Sequence, residues 1–72
     1  MKNEFYKGIG KRIMERRVEI EWTREKLAMK SGVSSRFLFD IETGQKKMSV
    51  EILHKIKNAL EVSWNWLIDG VE

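Results

Sequence analysis

Apolar residues recur along this chain at three- and four-residue intervals, the spacing that gathers them on one side of an α-helix. Phe5, Ile9 and Ile13 form the first stripe and predict a helix over about residues 4–19 with that face in the core. Leu27 and Ala28 give a second, shorter segment a small apolar face. Leu38 and Ile41, three apart, define a third over about 35–42, with Phe37 on its flank. Ile52, Leu53, Ile56 and Leu60 mark a fourth over about 50–60, placed to close the core over helices 1 and 3. A short fifth segment covers 64–68. The pattern predicts an all-α fold of five helices.

The residues between the stripes supply starts and stops. Thr23, Ser34, Ser49 and Ser63 each stand one residue before a predicted helix, where a hydroxyl can accept an orphan backbone N–H. Trp22 and Leu27 flank the Thr23 cap at the spacing of a hydrophobic staple. Gly32 stops the second helix, Gly44 the third and Asp69-Gly70 the fifth, since glycine takes a left-handed backbone without a Cβ clash. Val33 plugs the turn between helices 2 and 3. Two short helices joined by a three-to-four-residue turn containing glycine form a helix-turn-helix, here over about residues 23–44. In that motif the second helix enters the DNA major groove.

The run L-A-x-x-x-G-V-S from Leu27 to Ser34, followed by Leu38, Ile41-Glu42 and Gly44, resembles the phage-repressor (Cro/XRE-type) helix-turn-helix family over about residues 9–67. The resemblance implies a lambda-repressor-like DNA-binding domain that binds double-stranded DNA as a homodimer. It implies an ion pair between Arg17 and Glu42 that ties helix 1 to the end of helix 3. It also places Arg24 at a phosphate-contacting position where the family usually has glutamine, and Thr43, Lys46 and Lys47 in a loop along the phosphate backbone. Val62 and Leu67 match family core positions. The chain departs from the family at Glu21 and Met48, where glycine and proline are common, and at Phe39, where a small or polar residue is usual.

With Leu38 and Ile41 turned inward, Ser35, Arg36, Phe39 and Asp40 are left to face outward as the candidate base contacts. Arg36 is the first choice, because a guanidinium reads guanine O6 and N7 with two bonds. Asp40 either accepts a cytosine amino proton or orients Arg36, one helical turn earlier. Phe39 has three readings: packing on thymine methyls, contact with another protein, or leaning back onto the core beside Phe37.

The remaining composition narrows the picture. The 72 residues fit one domain, and the absence of cysteine removes disulfides, thiolate metal sites and thiol nucleophiles. His54 stands without a second histidine or a cysteine, so it is expected on the surface, and no metal or other cofactor is expected. No apolar run approaches membrane-spanning length, and the N-terminus lacks the apolar core of a signal peptide, so a cytoplasmic, nucleoid-associated protein is expected. Of the net charge of +3, the stretch through Lys47 carries +5 and the remainder −2, which puts the basic excess on the helix-turn-helix half. Such a face suits a polyanion. Lys26 and Lys30 belong either to it or to the solvated surface. Trp64, Trp66 and Ile68 exceed what one small core needs and form a candidate dimer interface.

The sequence therefore points to a sequence-specific transcriptional regulator, with repression as the family's usual outcome. A protein-interaction module on the same fold, such as an antitoxin or anti-repressor partner, is the alternative suggested by Phe39 and Asp40. No small-molecule effector is expected. Nothing singles out an enzyme: there is no phosphate-binding glycine loop and no HExxH-like pair.

Overall fold

In the computed structural model, which describes residues 4–71, the helices begin where the hydroxyl residues stand. Thr23, Ser34, Ser49 and Ser63 each accept the backbone N–H three residues on, from Lys26, Phe37, Ile52 and Trp66, at 3.0–3.2 Å. Each such cap stabilises its helix by about 1 kcal/mol. The elements are α1 (Glu4–Glu19), α2 (Arg24–Ser31), α3 (Ser35–Glu42), α4 (Val50–Leu60) and α5 (Trp64–Asp69), with no strand among the described residues.

Gly32 ends α2 at φ 75°, its N–H donating to the Ala28 carbonyl. The corner after α1 needs the same left-handed backbone and takes it from Glu21, at φ 61°. Glutamate thus stands in a left-handed conformation where the family commonly has glycine, at a cost of about 1–2 kcal/mol for an L-residue. The Glu21 and Trp22 amides donate to the Val18 and Arg17 carbonyls across that corner.

All five helices contribute to the core, whose centre is Ile9, Ile13, Leu27, Leu38, Ile41, Ile56, Leu60 and Leu67. Met48, at the proline position, is buried with them, while Trp22, Phe37, Val62, Trp66 and Ile68 pack on the rim. Two expectations are corrected. Phe5 is 53% exposed rather than core, and its ring stands edge-on to Tyr6. The α1 stripe is covered only from Ile9 onward, because α3 meets α1 at Gly10. Second, α4 closes chiefly over α2, with a smaller contact on α1, rather than over α1 and α3.

Arg12 and Arg16 lie off the α1 stripe, as the pattern predicts, but they are not idle. Arg12 donates to the Leu67 and Ile68 carbonyls at 2.8 and 2.7 Å, and Arg16 donates to the Leu60 carbonyl at 3.4 Å. These carbonyls end α5 and α4, where unpaired acceptors and the helix dipole favour a cation. Among the described residues no helix is long and apolar enough to cross a membrane, and no cluster suits a metal ion.

Candidate nucleic-acid interface

The α2–α3 pair is fixed by its turn. The Gly32 and Val33 amides both donate to the Ala28 carbonyl, and the Val33 side chain is buried in the angle between the helices. Leu38 and Ile41 then anchor the inner face of α3 with no exposure. The opposite side presents Arg36, whose side chain is 80% exposed.

The other three candidate base contacts sit differently from the sequence expectation. Asp40 does not face outward; the residue is 5% exposed. The chain after α3 folds back on it, with the Gln45 amide donating to the Asp40 carbonyl oxygen at 2.8 Å and Lys46 lying over its carboxylate. Ser35 is also drawn in. It shares a face with Leu38 and Glu42, three and seven residues on, and its Oγ is covered without a hydrogen-bond partner among the described residues. Phe39 is half-buried but is not part of the core cluster. Its ring lies between two guanidinium groups, with Arg24 Cζ 5.1 Å and Arg36 Cζ 5.6 Å from its centre.

Behind this face lies the expected ion pair. Arg17 donates through Nε and Nη2 to the two carboxylate oxygens of Glu42, at 2.7 and 3.0 Å, and through Nη1 to the Trp22 carbonyl. The parallel bonds are the strong, planar kind. Arg24 donates to the same carboxylate at 3.0 Å, a contact the sequence did not suggest. Arg24 is thus held by Glu42 and stacked on Phe39, rather than extended freely into solvent.

The loop after α3 completes the face. Thr43 is exposed, and its hydroxyl donates back to the Phe39 carbonyl at 2.8 Å. Lys46 and Lys47 are exposed, and each ammonium lies near an aromatic ring: Lys46 Nζ is 5.7 Å from Phe37, and Lys47 Nζ is 5.8 Å from Tyr6. Arg24, Arg36, Lys46 and Lys47 thus each stand beside a ring that limits their wandering. Lys26 and Lys30 are exposed on α2, and Lys26 lies over Trp22. Trp22 and Phe37 were legible as flanking the core, Phe39 carries three readings in the sequence and Tyr6 is not singled out there; the use of these rings as rests for cations was not legible.

At the far end Trp64 is 37% exposed. His54, on the surface as expected, stacks on it with ring centres 6.2 Å apart, and Lys57 approaches it at 5.5 Å. Trp66 and Ile68 are half-buried against the core.

A family model described as helix-turn-helix matches residues 13–67. The chain belongs to this Cro/C1/XRE-type helix-turn-helix family. Solved structures agree. The restriction-modification controller protein C.AhdI from Aeromonas hydrophila is similar at 28% identity and a TM-score of 0.78, over 81% of this chain and 88% of that one. The clp gene regulator ClgR from C. glutamicum is similar at 28% identity and a TM-score of 0.84, over 89% of this chain and 82% of that one. A point mutant of the controller protein C.Esp1396I is similar at 28% identity and a TM-score of 0.82, over 89% and 81%. No curated protein matches the chain. As a member of this helix-turn-helix family, it is a DNA-binding transcriptional regulator.

Proposed function

We propose that this helix-turn-helix protein is a sequence-specific regulator that binds a palindromic double-stranded operator as a homodimer and represses transcription there. The observation that carries this reading is the exposed Arg36 on the outer side of α3, flanked by Arg24, Lys46 and Lys47. In the motif the N-terminal part of the second helix meets base edges, and Arg36 stands one residue inside that end. Thr43, Lys46 and Lys47 are the phosphate contacts, which give affinity and register without reading sequence. Arg24 joins them by exchanging part of its hold on Glu42 for a phosphate. Ser35 and Phe39 border the reading position.

Two copies joined through Trp64, Trp66 and Ile68 would carry two reading helices to half-sites about 10 base pairs, or a multiple of that, apart. The names controller protein and gene regulator, borne by the similar structures, support transcriptional control as the output.

The alternative, a protein-interaction module, rested on Phe39 and Asp40 as exposed features of α3. Asp40 is covered and Phe39 is flanked by two arginines, which leaves a cationic face better suited to phosphates than to a protein patch.

A binding selection from randomised duplexes, run on the wild type and on Arg36→Ala, tests the reading. The wild type is expected to recover a two-fold symmetric site, and Arg36→Ala to lose preference at one position per half-site. Unchanged preference in the variant would show that Arg36 reads no base.

A further inference from the structure

Asp40 is a buried carboxylate beneath a surface meant for a polyanion, an arrangement that nonspecific DNA affinity alone would disfavour. Its charge partners among the described residues are two cations of that surface. Arg36 Nε lies 3.6 Å from Oδ1, and Lys46 Nζ lies 3.9 Å from Oδ2. Backbone geometry fixes the arrangement. Arg36 is one helical turn before Asp40, while the Gln45 amide and the Thr43 hydroxyl, both donating to the Asp40 carbonyl oxygen, bring Lys46 back over the carboxylate. A buried charge is tolerated where it is paired, and stripping one of its partners is costly.

The shortest approach of Arg36 to Asp40 is through Nε, an ion pair at 3.6 Å. Nε faces Asp40, and Phe39 lies against the guanidinium at 5.6 Å. Nη1 and Nη2 make no hydrogen bond to the protein among the described residues, and these two form the fork that matches guanine O6 and N7. Lys46 is shared in the other direction. Each step it takes toward a phosphate removes half of the counter-charge from Asp40.

We propose that Asp40 is a specificity-determining positioning residue: its carboxylate holds the Nε edge of Arg36 so that the terminal fork is presented to guanine, and by retaining Lys46 it weakens binding to duplexes that offer Arg36 no guanine. The proposal rests on the DNA-reading role of α3 and adds the residue that aims it. On a matching site Arg36 keeps Asp40 paired while it reads the base, so Lys46 is released at little cost. On other sequences Arg36 gains no base contact, and drawing both cations to phosphates would leave Asp40 unpaired among negative charges.

The near-isosteric variant Asp40→Asn tests this, measured beside the wild type, Arg36→Ala and the double variant on the selected duplex and on one with the guanine replaced. Asp40→Asn is expected to bind the replaced duplex several-fold more tightly and to lower guanine preference about tenfold, within the range of one bidentate contact. In the Arg36→Ala background it is expected to leave base preference unchanged while still raising affinity for both duplexes. A general packing defect would instead weaken both duplexes alike. Such uniform weakening, or a guanine preference that Arg36→Ala abolishes and Asp40→Asn leaves intact, overturns the proposal and leaves the DNA reading standing. A wild type that binds no duplex overturns both.

Discussion

Glu42 carries two arginines on one nearly inaccessible carboxylate, its side chain 1% exposed. Arg17 fixes it to α1, and Arg24 links it through Phe39 to the outer face of α3. Glu42→Ala would leave the buried Arg17 uncompensated, so a loss of about 3–5 kcal/mol in urea unfolding is expected. A loss below about 1 kcal/mol would show that water replaces the pair freely. Lys46→Ala belongs to the same scale. It is expected to weaken the guanine-bearing duplex more than one with the guanine replaced, on which Asp40 retains Lys46, and to shallow the salt slope on the former by about 0.9 for each phosphate it no longer neutralises. A salt slope on the guanine-bearing duplex that Lys46→Ala leaves unchanged would contradict its phosphate role. The Arg17–Glu42 pair was legible as a family resemblance. The burial of Asp40 was not, because a helical wheel shows which way a residue points from its own axis but not which loop returns over it.

At the scale of elements, the close approach of α1 and α3 decides where α3 stands. A Cβ at Gly10 would lie 2.0 Å from the Ile41 carbonyl oxygen, so that approach requires glycine. Gly10→Ala is expected to destabilise the fold by about 2 kcal/mol or more, although alanine in a helix interior ordinarily gains about 1 kcal/mol over glycine. Gly32→Ala differs in kind. Nothing lies within 4 Å of that Cβ, and its cost is the left-handed backbone alone, about 1 kcal/mol. Thermal unfolding of the two variants checks the order, and a milder effect at Gly10 would contradict this close packing of α1 on α3. Helix limits were readable because hydroxyl caps and glycine stops are local signals. The partner of α4 was not, since periodicity marks a buried face without naming what covers it. Phe5 lies outside the core for a related reason: a stripe continues in sequence beyond the point where its cover ends.

At the scale of the whole molecule, the cationic face and the tryptophan-bearing end occupy different elements, so the proposed base reading and the proposed self-association fall on separate surfaces. Trp66→Ala is expected to weaken the dimer about tenfold or more, in line with aromatic interface anchors, while leaving a folded monomer. Sedimentation showing an unaltered dimer would reject that interface. Of the cations in the basic half of the sequence, Arg36 stands on α3, Arg24 is paired with its Glu42, and Lys46 and Lys47 follow it, and they set the most direct test of the central claim, that α3 lies in the major groove of duplex DNA between its phosphate backbones. That test is the affinity of the purified wild type for its selected duplex, measured by fluorescence anisotropy across a salt series. For roughly four to eight phosphates neutralised per dimer, a log–log slope of about −4 to −7 is expected. An affinity indifferent to salt, or no binding to any duplex at the lowest salt, would contradict it.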